Sequence, residues 1–227
     1  MKKFQSILQY YRECFTLVDV FHFNSRVAQN QYKKSLNIAG TTQIVLPITH
    51  EGVQDHREKK QFDSNILRMG FIGHESPYKG LPLLKKVLAN IDSSKWRLDV
   101  WGGRIGRETS LPIYYRGKFN SRNISQVYAE MDLLVVPSIW QETFSLATLE
   151  ALSYGVPVLV SKNVGAKDLV EDYNAAFVYN TAEELNKVIE SLISDKTPLQ
   201  NFNQAIRTKL WTHNMIAHAK NVIEKLY

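Results

Sequence analysis

Two glutamates, Glu142 and Glu150, stand eight residues apart in a stretch that carries most of this sequence's chemical information. On a helical rise that spacing is about 12 Å. Between them, Thr143, Phe144 and Ser145 lead into an apolar-periodic run, so the backbone N–H groups of a helix start fall between the two acids. The order is carboxylate, anion site, carboxylate. A carboxylate accepts two hydrogen bonds from a vicinal diol, and free amides accept a phosphate. A nucleotide-sugar presents a sugar diol, a diphosphate and a ribose diol in the same order. A single helical glutamate is ordinarily a solvated residue, so the pair matters only if the chain folds both toward one crevice.

The elements that must do this are legible around the pair. Leu133 to Val136 is a short apolar run suited to a strand buried on both faces, and Pro137 stops it. Ser138 to Thr143 is a loop. Leu146, Leu149, Ala151 and Leu152 share a helical face, Gly155 ends the helix, and Pro157 to Val160 is a second apolar strand. This is a β-α-β unit with parallel strands, whose ligands sit outside the strands' carboxyl ends. A second loop, Gly73 to Gly80, follows a strand predicted at Ile66 to Ile72. Pro82 suits a first helical turn. Lys79 then lies just before a helix start, where the dipole disfavours a cation unless an anion is present.

The whole run from Pro137 to Ser161, P-S-x-x-x-E-T-F-S-L-x-x-L-E-A-L-x-x-G-V-P-V-x-V-S, resembles the E-x7-E segment of the family 4 retaining glycosyltransferases, with Glu142 and Glu150 as the pair. The resemblance extends over roughly residues 18–180 and is strongest over 132–171. It implies an α/β fold: a Rossmann-like parallel sheet with helices on both faces, the C-terminal domain of a GT-B enzyme, preceded by a short remnant of the N-terminal domain. It implies that Glu150 holds ribose hydroxyls and Glu142 the donor sugar. Gly73 and the amides of Thr143, Phe144 and Ser145 would face sugar and phosphate. Family members carry G-R-x4-K-G where this chain has Gly73, His74 and then Lys79-Gly80, so His74 replaces the arginine that joins the lysine on the diphosphate. Arg104 or Arg107 is a candidate replacement. The turn Lys118–Phe119 would meet the nucleotide base. No cofactor or metal is implied beyond the nucleoside-diphosphate sugar.

The expected organisation is a partial acceptor-side segment at 1–47, a polar linker at 48–64, a donor-binding domain at 65–200, and helices at 201–227 packing back toward the N-terminal segment. With 227 residues and room for only two strands before residue 47, the expectation is an acceptor domain that is largely absent or reduced, and none of His22, His50 or His56 is assigned the role of the histidine that relatives use near the reacting sugar. The partners implied are a nucleotide-sugar and a glycan or lipid-linked acceptor, in cell-surface polysaccharide synthesis; a second chain supplying the acceptor half is compatible with this. A truncated or non-catalytic nucleotide-sugar-binding subunit is the alternative. A sugar epimerase or phosphorylase on the same fold is a third, with no pyridoxal lysine site to support the latter.

The formal charge is +6, and nine Lys/Arg face five Asp/Glu over residues 1–62. This excess suits phosphate or an anionic membrane surface and is too mixed for nucleic acid. One cysteine, Cys14, fits a reducing compartment, and no apolar run of membrane-spanning length is present. The expectation is a cytoplasmic protein with peripheral contact at the inner face of the membrane. The stripe Phe4, Ile7, Leu8 and Tyr11 predicts a first helix packed on a core.

Overall fold

The computed structural model describes residues 2–36, 38 and 40–226; the ends of the expected 1–47 and 201–227 segments, and residues 37 and 39, lie outside the described residues. The chain opens with α1 (Lys2–Phe15), β1 (Val20–Phe23), α2 (Arg26–Ser35) and β2 (Thr42–Val45). β1 and β2 pair in parallel as a two-stranded sheet over a small core of Phe21, Phe23, Ala28 and Ile38. Ser25 caps α2, accepting from the Ala28 N–H, as its position before the helix predicts. The first helix departs from expectation: Phe4 is 70% exposed, and Ile7, Tyr10 and Tyr11 are also exposed, so its stripe is not core. The periodicity gives the helix, but nothing in it specifies a partner surface.

The main sheet follows: β3 (Leu67–Ile72), α3 (Leu81–Leu88), β4 (Trp96–Trp101), β5 (Ile105–Arg107), β6 (Ile113–Gly117), α4 (Ile124–Ala129), β7 (Leu133–Val136), α5 (Leu146–Ser153), β8 (Val158–Ser161), α6 (Lys167–Asn174) and β9 (Val178–Tyr179), then α7 (Ala182–Ser194), α8 (Thr197–Thr208) and α9 (Met215–Leu226). The strand order is β5-β6-β4-β3-β7-β8-β9, parallel throughout except for antiparallel β5 at one edge. Helices flank it, and β7 and β8 are buried along their whole length, as their unbroken apolar runs require. Among the described residues no helix is long and apolar enough to cross a membrane.

Several expectations are corrected in detail. β5 was not legible: Ile105–Gly106–Arg107 is exposed throughout and has neither alternation nor an apolar run. The last strand is only Val178–Tyr179, because Asn174 caps a tight turn over Ala175–Phe177. Thr181 caps α7 by accepting from the Glu184 N–H, and the Glu184 carboxylate accepts from the Asn180 N–H. Trp211 precedes the last helix and is buried against the main core. The 48–64 segment has no regular element, yet Val53 and Phe62 are buried in the main core and the His56 N–H donates to Ser153 O. α8 sends Leu199, Phe202 and Ile206 into that same core.

The topology fixes where a ligand can sit. From β3 the chain runs outward through β4 and β6, then returns by α4 to β7 on the other side of β3. The order therefore reverses between β3 and β7, and the loops leaving these neighbouring strands diverge to open a crevice at their carboxyl ends. Those loops are 73–80 and 137–145.

Candidate functional site

The loop after β3 is pressed against the loop after β7 at one point. Gly80 has φ +80°, and a Cβ there would lie 1.8 Å from the Pro137 carbonyl oxygen. Only glycine meets both demands. This contact seats Lys79 beside the second loop. Its Nζ donates to Glu142 Oε1 over 2.6 Å, while Glu142 Oε2 accepts a short hydrogen bond from Ser138 Oγ. The Glu142 backbone is itself fixed: its N–H donates to Asn163 O and its carbonyl accepts from Gly165 N–H, forming a bridge to the loop after β8.

The helix start behaves as its sequence predicts. Ser145 caps α5 by accepting from Thr148 N–H. The N–H groups of Thr143 through Ala147 have no protein acceptor among the described residues. Those of Leu146 and Ala147 are the orphan donors of a helix start, and all five residues line one crevice.

At the other end Glu150 is one turn into α5 and 17% exposed. Oε2 accepts from the Tyr128 hydroxyl over 2.9 Å, and Oε1 meets His50 Nε2 at 3.1 Å. Burial, first, and then the neighbouring Glu150 push the Tyr128 phenol well above its ordinary value, so it holds its hydrogen and donates.

Lys79, Ser138, Glu142, residues 143–147 and Glu150 line one cleft of about 630 Å³, in the size range of small-molecule sites, while His50 and Tyr128 meet Glu150 without lining it. Gly73, Lys79, Glu142, Thr143, Phe144, Ser145 and Glu150 are brought together there. Asn24, Ile48 and Trp140 join them without a prior signal. His74, Lys118 and Phe119 are not among its lining residues. His74 and Lys118 are exposed, and the Phe119 ring stands edge-on to Trp101 at 6.0 Å. Arg104 lies over the Tyr115 ring and pairs with Glu75, and Arg107 lies over Tyr114; neither lines the cleft. A cleft of about 600 Å³ lined by His56, Lys60, Arg68 and Tyr154 lacks both acids.

Two acids, a run of unpaired amides and a lysine thus meet in one crevice at a strand-order reversal. The family described as Glycosyl transferases group 1 matches residues 52–209 of this chain. The chain belongs to this family. Group 1 relatives include an uncharacterized 41.2 kDa protein in the cps region of Klebsiella pneumoniae, 30% identical over 135 residues that make up 57% of this chain and 36% of that protein. The sulfoquinovosyl transferase SQD2 of Arabidopsis thaliana is 26% identical over 173 residues, 71% of this chain and 33% of its own length. The matched stretches therefore span well under half the length of these curated relatives. In three dimensions it resembles Anabaena Alr3699/HepE, solved with UDP and glucose, with a TM-score of 0.74, 19% identity, and coverage of 98% of this chain and 67% of that one. At that identity the likeness establishes the group 1 fold, GT-B, and no more.

Proposed function

We propose that this chain is the donor-holding part of a retaining glycosyltransferase of family 4. It would move a sugar from a nucleoside diphosphate to a glycan or lipid-linked acceptor in cell-surface polysaccharide synthesis, working at the inner face of the membrane. The observation that carries this reading is the convergence of Lys79, Glu142, the free amides and Glu150 on one crevice. Glu150 takes the ribose diol, the amides of Thr143 to Ser145 take the diphosphate, and Glu142 takes hydroxyls of the sugar. Two relatives support a nucleotide-sugar ligand: the Anabaena protein is seen with UDP and glucose, and the Arabidopsis protein is a sulfoquinovosyl transferase.

In the transfer, the bond between the anomeric carbon and the diphosphate oxygen breaks and its electron pair stays on the diphosphate. The acceptor hydroxyl oxygen bonds to the same carbon on the same face, and its proton passes to the departing phosphate oxygen. Charge develops on that oxygen. Lys79 and the amides would donate to that oxygen, and would stabilise the transition state more than the ground state. Lys79 rests on Glu142 in a partly buried ion pair, with 32% and 12% of the two side chains exposed. A diphosphate in the cleft would compete with Glu142 for Lys79 as one anion for another, leaving Glu142 to the sugar.

A second reading is a binding subunit that holds the donor and transfers nothing alone, with a second chain supplying the acceptor half. Ahead of the main sheet the described residues form one two-stranded sheet, β1–β2.

The deciding experiment is calorimetric titration of UDP-, GDP-, ADP- and dTDP-sugars into the wild type, Glu150→Ala and Lys79→Ala. One of the donors should bind the wild type, and both variants should weaken it about tenfold or more. Binding of none, or equal binding by all three proteins, sinks the reading. Sugar transfer or donor hydrolysis by the isolated chain then excludes the binding-subunit alternative.

A further inference from the structure

The residue that completes the Glu150 end of the cleft comes from the segment between the two sheets, 100 positions upstream. His50 sits in a short turn in which the Gly52 N–H donates to its Nδ1 over 3.2 Å. That nitrogen therefore presents its lone pair, and the ring hydrogen sits on Nε2. Nε2 faces Glu150 Oε1 at 3.1 Å and donates to it. The turn closes tightly on the ring, since a Cβ at Gly52 would lie 3.0 Å from His50 Cε1. The Thr49 hydroxyl donates to His213 O and the Val53 side chain is buried in the core, so the turn is anchored on both sides.

Glu150 thus has one donor on each oxygen, His50 on Oε1 and Tyr128 on Oε2. An ionised carboxylate offers about four lone-pair positions. Two are taken by protein, which pins the plane of the carboxylate. The remaining two are left for a ligand in the cleft that both Ile48 and Glu150 line. With only Tyr128 in place, the carboxylate could swing about that single bond and lose its aim.

We propose that His50 is a positioning residue for nucleotide recognition: its Nε2–H holds the Glu150 carboxylate so that its free lone pairs meet both hydroxyls of a ribose, and the chain thereby prefers ribonucleoside over deoxyribonucleoside diphosphates. This rests on the reading of the cleft given above. A purely structural histidine would alter stability, or affinity for every nucleotide alike. A positioning histidine alters the ribose preference specifically, and a side chain that restores an N–H donor restores it.

The test is titration of UDP against dUDP, and GDP against dGDP, into the wild type, His50→Leu, His50→Gln, Gly52→Ala and Glu150→Gln, with thermal melts confirming that each is folded. The wild type should favour the ribose form about tenfold, the worth of one hydrogen bond to a charged group. His50→Leu should reduce that preference to about twofold while changing deoxy affinity little. His50→Gln should keep most of it. Gly52→Ala, which retains the histidine but crowds its ring, should fall between. If Glu150→Gln loses the preference and His50→Leu keeps it, the positioning role is wrong and the cleft assignment stands. If Glu150→Gln also keeps it, or the wild type binds none of the four nucleotides, the cleft assignment itself falls and this proposal falls with it. A uniform loss across all four nucleotides in both His50→Leu and His50→Gln also overturns it.

Discussion

The two ends of the cleft hold the same functional group by opposite means. Glu142 is met by a cation and a hydroxyl, Lys79 and Ser138, in a place where backbone presses on backbone at Gly80 and Pro137. Glu150 is met by two donors that need carry no charge, the His50 imidazole and the Tyr128 phenol, on side chains from distant elements. The first arrangement suits a place where charge is created and removed during reaction, because a lysine can exchange one anion for another. The second suits a place that only recognises, because geometry matters there and net charge does not. The difference teaches that the acidic pair is not a symmetric clamp.

The largest effect should come from the rigid end. Gly80→Ala puts a methyl group into the Pro137 carbonyl at a left-handed backbone position, and should lower stability by about 4 kcal/mol and the melting temperature by roughly 10 °C. A near-normal melting curve would mean the two loops are free to part. Next, Lys79→Ala should slow transfer about a hundredfold, the usual loss on removing a fixed donor to developing charge, with a smaller change in nucleotide affinity. If affinity and rate fall equally, the lysine only binds and the contrast between the ends disappears. Ser138→Ala removes one bond to Glu142 and should cost about 1 kcal/mol in donor-sugar binding, with nucleoside diphosphate binding unchanged.

The smallest effect belongs to Tyr128 and appears with pH. Its folded pKa lies above the unfolded value, so the folded state keeps a proton that the unfolded chain has lost. The resulting stability is fully present below pH 10, and declines as pH rises above it toward the folded pKa. Melting temperatures measured from pH 8 upward should fall above pH 10, and less so in Tyr128→Phe. Tyr154 and Tyr179 are also shifted upward by burial, so the readout is the difference between the two proteins.

Much of this was legible in the sequence because it is local. Pro137, Gly155 and the apolar runs on either side of α5 define a β-α-β unit with no help from the rest of the chain, and Lys79-Gly80-Leu81-Pro82 marks a helix start by its residue types alone. What was not legible is what depends on distance or on the absence of pattern. The contact of His50 with Glu150 spans 100 positions, and nothing in I-T-H-E-G-V signals it. The pairing of Lys79 with Glu142 depends on β3 and β7 being neighbours, which follows only from the strand order. The three residues of β5 become a strand because β6 offers an open edge, not because of their own preference. The stripe on α1 gave the helix correctly and its surroundings wrongly, since periodicity reports a face without reporting what covers it.

One hydroxyl described above has a wider reach than its role as a helix cap. Ser25 Oγ accepts from the first turn of α2 and also donates to the Thr143 carbonyl, across 118 positions, while Gly165 leaves no space for a side chain beside both. A single oxygen atom therefore joins the cap of α2, just after the small amino-terminal sheet, to the strip of backbone that lines the cleft. Any tilting of the small sheet must tug that strip, and any ligand that stiffens the strip must steady the small sheet in return. The two sheets are geared together at the wall of the cleft.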